Sequence, residues 1–343
     1  MATAKHYVLP TIGSYKNLVI ENVQIPEPKA SEVLVKVHAV SLQYADLLIA
    51  SGQYPVSPSG SLVPCSDMAG EVVAVGGDVK RWKVGDRVCA NFTTDHLQGD
   101  PTPETQKTSM GGHNPAVLTE YRTFPALSLV NIPEHLSYVE ASTLLCAALT
   151  AYNALYGARP SKAGDYVLIL GTGGVSIFGL QFAIASGATV IATSSSDEKL
   201  KIAAKLGAKH VINYKKNPKW DEEVLRITKG TGVDHVIEVG GPGTIPLSIN
   251  STRMGGYIHL IGLVAQESKE TNLVQLILKA VSIRGIQIGS VAQFADMNKL
   301  IEANPEATRP VVDKVFPFEK AVLAYEHLES QTHVGKVVIQ VAN

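Results

Sequence analysis

From residue 166 onward, short apolar runs alternate with amphipathic stretches. Tyr166-Val-Leu-Ile-Leu170, Thr189-Val-Ile-Ala-Thr193, His210-Val-Ile-Asn-Tyr214, Val233-Asp-His-Val-Ile-Glu-Val239, Gly256-Tyr-Ile-His-Leu-Ile-Gly262 and Ser282-Ile-Arg-Gly-Ile-Gln-Ile-Gly289 read as strands. Ile177–Ala183, Asp197–Leu206, Trp220–Thr228 and Leu273–Lys279 read as helices, the second with Leu200, Ala203, Ala204 and Leu206 on one face. Repeated strand–helix alternation predicts a doubly wound α/β unit, a parallel sheet with helices on both faces. In such a sheet the crossovers leave ligands at the carboxyl ends of the strands.

The first strand runs into Gly171-Thr-Gly-Gly-Val-Ser176, which opens the first helix. A glycine-rich turn in that setting predicts a dinucleotide site. Gly171 permits the tight turn, Gly173 lets a diphosphate approach the backbone, and Gly174 and Val175 offer the N–H groups of the new helix. Ser176 stands where a third glycine is common; it is small enough to keep the helix against its strand.

The earlier part of the chain has a different rhythm. Glu32–Val40, Met68–Gly77 and Val84–Ala90 are β-prone and punctuated by glycines, with few helical patterns, which predicts a small barrel-like β domain. Residues 91–116 are polar and rich in Pro, Gly and Thr, the composition of a binding loop or of a solvated surface excursion. Arg309–Phe316 and Gly335–Val341 are again strand-like and are expected to return to the first domain. That domain then spans 1–147 and 291–343, around a dinucleotide-binding domain at 148–290.

Composition narrows the function classes. The chain has 343 residues, 45% hydrophobic and 18% charged, an ordinary globular balance. A net charge of −1 gives no basic excess for nucleic-acid phosphates, and no apolar run is long enough to span a membrane. The first ten residues lack the apolar core of a signal peptide. Three widely spaced cysteines, Cys65, Cys89 and Cys146, suggest no disulfide framework and fit a reducing cytoplasm.

Several motifs together resemble the medium-chain dehydrogenase/reductase superfamily over essentially the whole chain. They are Asp67-Met-Ala-Gly-Glu-Val-Val73, Lys83-Val-Gly-Asp-Arg-Val88, Ala148-Leu-Thr-Ala-Tyr152, the glycine turn, Leu206–Tyr214 and Gly335-Lys-Val-Val338. The resemblance implies a Rossmann domain and a GroES-like catalytic domain. The zinc enzymes of the superfamily hold a catalytic metal with two cysteines and a histidine. Here Gln43 and Ser66 occupy two of those positions and only Cys146 remains, too few ligands for such a site. The 91–116 loop carries none of the four cysteines that bind a structural zinc, and Asp95, His96 and His113 match no metal pattern. The chain therefore resembles the zinc-free branch, which contains quinone reductases, alkenal and enone reductases and enoyl-thioester reductases.

An NAD-preferring site places a carboxylate about 20 residues past the glycine turn. Here that position is Ser194, followed by Ser195 and, one turn into the next helix, Lys199. Hydroxyls and a cation suit the 2′-phosphate of NADPH, and the same serines can cap the helix. By resemblance, Tyr214 covers the adenosine phosphate, Lys336 lies near the diphosphate, and Thr150, Gly262 and Gly289 surround the nicotinamide.

Without a metal, a carbonyl-conjugated C=C is easier to reduce than an isolated ketone, because charge spreads to an enolate oxygen that hydrogen-bond donors can stabilise. Tyr54 matches a tyrosine that enoyl-thioester reductases use as donor or acid; Gln43 and Tyr44 lie in the loop that otherwise carries the first zinc ligand. The expectation is a homodimeric, NADPH-dependent reductase of small α,β-unsaturated ketones and aldehydes, or of quinones. The Ser282–Gly289 strand would pair across the dimer axis. Two alternatives stay open at this point: a zinc-independent alcohol/ketone dehydrogenase, and a non-catalytic NADPH-binding regulatory or structural protein.

Overall fold

The computed structural model describes residues 2–55, 61–111, 114, 116–264 and 270–342. The chain divides into two compact units, one of residues 1–149, 289–303 and 309–343, the other of 150–288 and 304–308.

The second unit contains the predicted alternation. Its strands are β1 (Tyr166–Leu170), β2 (Thr189–Ser194), β3 (His210–Asn213), β4 (Val233–Glu238), β5 (Thr252–Leu260) and β6 (Ser282–Gly285). Its helices are α1 (Gly174–Ala185), α2 (Asp197–Lys205), α3 (Trp220–Ile227), α4 (Ile245–Ser251) and α5 (Leu273–Lys279). Among the described residues the sheet order is β3-β2-β1-β4-β5-β6, with every pairing parallel. The winding direction reverses between β1 and β4, the position where doubly wound sheets take their ligands. Leu168, Ile191, Val236 and Ile258 project from four adjacent strands into one buried cluster with Trp220 and Val224 of α3. Strands buried on both faces explain the near-continuous apolar runs.

Two strands of this unit, β5 and β6, differ from expectation by more than one residue. β6 stops at Gly285 because its partner β5 stops at Leu260; the amide of Ile286 still donates to the Leu260 carbonyl at 2.9 Å. Beyond it Ile288 turns left-handed (φ 49°), and Gly289 joins the first unit, where its carbonyl accepts from Asn91 Nδ2 at 3.3 Å. β5 begins earlier than predicted, at Thr252, and leaves Gly262 outside the strand. Inside the sheet His235 and His259, fully buried on neighbouring strands, hydrogen-bond through Nδ1 and Nε2 at 3.1 Å. Burial pushes the His259 imidazole down to about 3, so the pair is neutral.

The first unit is built on Glu32–Ser41, whose apolar side chains are almost all buried. It pairs antiparallel with Asp67–Val75, with Tyr121–Pro125 and with Lys336–Gln340. The sheet continues through Arg87–Ala90 to Leu129–Asn131 on one side and through Val312–Pro317 on the other. Two helical segments were not legible beforehand: Tyr44–Ser51, and a π-helical turn Leu144–Ala148 that runs into the helix Leu149–Tyr156, which from Thr150 onward belongs to the second unit. The polar 91–116 stretch is partly ordered, with a short helix at Pro103–Gln106 capped by the Thr102 hydroxyl. Within it His96 donates through Nε2 to the Gly99 carbonyl at 2.9 Å; His113 lies outside the described residues.

Candidate active site

In the second unit, the glycine turn follows β1 directly. Gly171 is left-handed (φ 76°), and its amide donates to Thr193 Oγ1 on the adjoining strand at 3.4 Å. Gly173 is the N-cap of α1 in extended conformation and provides no side-chain acceptor. The first helical bond runs from the Ile177 amide to the Gly173 carbonyl, so the amides of Gly174, Val175 and Ser176 begin the helix without intrahelical partners. A Cβ on Gly173 would meet no protein atom within 4 Å. An uncapped twelve-residue helix facing open space is suited to an anionic diphosphate. Ser176, the departure from a third glycine, turns its hydroxyl inward to donate to the Leu170 carbonyl at 2.7 Å. It ties helix to strand from the inside and leaves the outer approach clear.

The residues expected at the adenosine end gather beside this turn. Ser194 ends β2 in register with Asn213 of β3, and the Tyr214 amide donates to the Ser194 carbonyl at 3.1 Å. Ser194 is buried and its hydroxyl accepts from the Ser196 amide at 3.3 Å, while Ser196 caps α2. Ser195 and Lys199 are partly exposed, and Tyr214 is exposed. Asp197, the nearest carboxylate in sequence, is held below its usual range chiefly by Lys216 and then by Asn213, whose side chains both donate to it. Its charge is thereby offset locally. Gly262 lies further along the same carboxyl edge, beyond β5, and Thr150 is buried in the Leu149–Tyr156 helix.

In the first unit a buried polar cluster centres on Asp67, a residue that sequence reasoning quoted only as part of a motif. Gln43 donates through Nε2 to Asp67 Oδ2, Ser66 donates through Oγ to Oδ1 at 2.8 Å, and the Cys146 amide donates to Oδ2 at 3.4 Å. The helix Tyr44–Ser51 positions Gln43, because its N-cap amide donates to Asp46 Oδ2 at 2.7 Å. Lys336, 3% exposed, donates to the carbonyl of Leu42 immediately before Gln43. Burial lowers the Lys336 ammonium, against the opposing pull of Asp67 and other neighbours, and burial raises both carboxyls, Asp46 to about 7. The lysine expected near a diphosphate braces the turn that carries Gln43. Tyr54 follows the left-handed Gly52 that closes the helix, and its phenol is pushed up by burial, then by Cys146 and Asp46. It stays protonated at neutral pH and can donate. Tyr44 is half-buried at the helix start, and Gly289 approaches Leu149 so closely that a Cβ would lie 2.9 Å from its side chain. A carboxylate that collects donors leaves no sequence periodicity; the only signal was Asp67 following Ser66 at a would-be ligand position.

The polypeptide's relatives agree with this anatomy. Residues 29–134 match the model of the alcohol dehydrogenase GroES-like domain, and residues 174–303 match that of the zinc-binding dehydrogenases. The chain is 46% identical to a zinc-type alcohol dehydrogenase-like protein of Schizosaccharomyces pombe, covering 98% of this chain and 99% of the relative. It belongs to the medium-chain dehydrogenase/reductase superfamily. Within the superfamily it is 30% identical to the quinone oxidoreductase of Sus scrofa, over 93% of this chain and 92% of that one. A crystal structure provisionally named alcohol dehydrogenase, from Sinorhizobium meliloti, superposes with a TM-score of 0.93 at 36% identity, covering 99% of this chain and 100% of the other. The chain is thus an oxidoreductase of a family that uses nicotinamide cofactors.

The family model's zinc is not matched by the donors here. The side chains of Gln43 and Ser66, at two would-be ligand positions, spend hydrogen-bond donors on Asp67, which leaves one thiol and one carboxylate. Among the described residues no group of three His, Cys, Asp or Glu side chains is placed to hold a metal. The donor set does not fit a tetrahedral zinc site.

Proposed function

We propose that this oxidoreductase uses NADPH to reduce the conjugated C=C of small α,β-unsaturated ketones and aldehydes, or quinones, without zinc. The observation that carries the reading is the Gln43–Asp67–Ser66 arrangement, which puts hydrogen-bonding groups where zinc relatives put ligands. Bound NADPH supplies the hydride. The free amides at the start of α1 hold its diphosphate, and Ser195, Lys199 and Tyr214, with no carboxylate at Ser194, favour the 2′-phosphate. Gln43 retains a second amide N–H beyond the one given to Asp67, and this N–H is the donor assigned to the substrate carbonyl. Tyr54, kept protonated by burial, is the proton source, either directly or through a water.

A second reading is a zinc-independent alcohol dehydrogenase: the names of the yeast and Sinorhizobium relatives favour the alcohol dehydrogenase part, and the donor set around Asp67 the absence of zinc. The two separate in one experiment: incubation with NADPH or NADH and an enone, its saturated ketone or a quinone, with product identification. Saturated ketone from the enone, with faster consumption of NADPH than of NADH, is expected. An alcohol as the only product would overturn the C=C assignment. We further assign the protein to the cytoplasm, in keeping with three free thiols; among the described residues, no helix is long and apolar enough to cross a membrane.

A further inference from the structure

Glu238 closes β4 at its carboxyl end and is fully buried. Its carboxylate is met by backbone amides and hydroxyls. Oε1 accepts from the amides of Gly240 at 2.8 Å and Gly241 at 3.0 Å and from Thr244 Oγ1 at 2.6 Å. Oε2 accepts from Ser248 Oγ in α4. The backbone carbonyl of the same residue accepts from Ile261 at 2.9 Å and Gly262 at 3.3 Å, and the Val264 amide donates to the Val239 carbonyl at 3.2 Å. The segments 239–244 and 261–264 are therefore laced into one double loop. Its contact is close: a Cβ on Gly262 would lie 2.6 Å from the Val239 carbonyl, and one on Gly241 2.9 Å from the Gly262 carbonyl.

The position of this loop gives the carboxylate a role. β4 is the neighbour of β1 across the reversal in winding, so the double loop is next to the glycine turn along the carboxyl edge. With the diphosphate at α1 and the adenosine toward β2 and β3, the remaining half of the dinucleotide must extend across the reversal toward β4 and β5. Four donors converging on one buried carboxylate fix the loop in advance, so ordering it does not weaken binding.

We propose that Glu238 is a positioning residue for the nicotinamide half of the cofactor, acting through the double loop and not by contact. The proposal rests on the dinucleotide reading above. In Glu238→Gln, one acceptor oxygen becomes an N–H donor that opposes the amides or hydroxyls it faces. Calorimetric titration of the intact protein with NADPH and with adenosine 2′,5′-bisphosphate, which lacks the nicotinamide half, tests it. Glu238→Gln is expected to weaken NADPH about tenfold and leave the fragment within about twofold. Thr244→Val, which removes one donor, is expected to weaken NADPH by about threefold, and Thr244→Ser to restore it. Unchanged NADPH affinity in Thr244→Val, or equal losses for NADPH and the fragment, overturns the proposal. Failure of the unaltered protein to bind either ligand would instead overturn the dinucleotide reading on which it stands.

Discussion

At the scale of single residues, the site of the first unit is organised around charge that burial makes costly. Asp46 caps the helix that presents Gln43, and the same burial holds its carboxyl at about 7. An acid with a raised folded pKa is protonated in the folded state and ionised in the unfolded state between those two values. Its stabilising contribution is complete below about pH 4 and is lost as the pH climbs through 7. Asp46→Asn keeps an acceptor for the Gln43 amide and removes the titration. Trp82 lies in the first unit and Trp220 in the second, so a W220F background reports the first unit by fluorescence. Between pH 5 and pH 8 that background should lose about 3 kcal/mol relative to its Asp46→Asn derivative in urea unfolding. Parallel pH profiles for the two proteins would show that Asp46 does not titrate there. Gln43 and Tyr54 were visible in the sequence because they replace or match family positions. Asp46 and Asp67 were not singled out, because a carboxylate that will be buried looks in sequence like any other acidic residue.

At the scale of elements, the parallel strands were legible because double-sided burial writes continuous apolar runs, and the glycine turn because its neighbours are so regular. The helix Tyr44–Ser51 was not. It is eight residues long, and its caps, Gln43 with Asp46 at one end and Gly52 at the other, are the chief local signals. β6 was predicted too long because its apolar side chains continue past the end of β5, its one partner among the described residues. The start of α1 yields a sharper expectation. Gly173 has φ −75°, acceptable to any residue, and room for a Cβ on the protein side. Gly173→Ala should leave the melting temperature within about 2 °C, yet cut dinucleotide affinity at least about tenfold, because the methyl group takes the place of a phosphate oxygen. A melting temperature well below that of the parent, or undiminished affinity, would mean that the turn does not face the diphosphate.

At the scale of the molecule, apolar surface accumulates at one edge of the second unit. In α5, Leu273, Val274, Ile277 and Leu278 are between 57% and 78% exposed, and Ile283 of the edge strand β6 is 37% exposed. Among the described residues no further strand pairs with β6, and an exposed apolar helix face beside such an edge is unfavourable in water. We propose that a second copy of the chain covers it, the edge strands pairing antiparallel about a two-fold axis. Light scattering should give a dimer mass, and Ile277→Lys with Ile283→Lys should give the monomer. A monomeric unaltered protein at micromolar concentration would refute the pairing.

The order of strands in the first unit has a consequence for synthesis. Lys336–Gln340, which leaves the ribosome long after Glu32–Ser41, pairs with it and bridges it to Val312–Pro317. On the same flank Tyr121–Pro125 covers the Glu32–Lys36 end early, but the Ala39–Ser41 end must wait while some three hundred residues are translated, whereas every strand of the dinucleotide unit finds its partners within a contiguous stretch. The sheet built on Glu32–Ser41 is thus completed only after every strand of the other unit has been made.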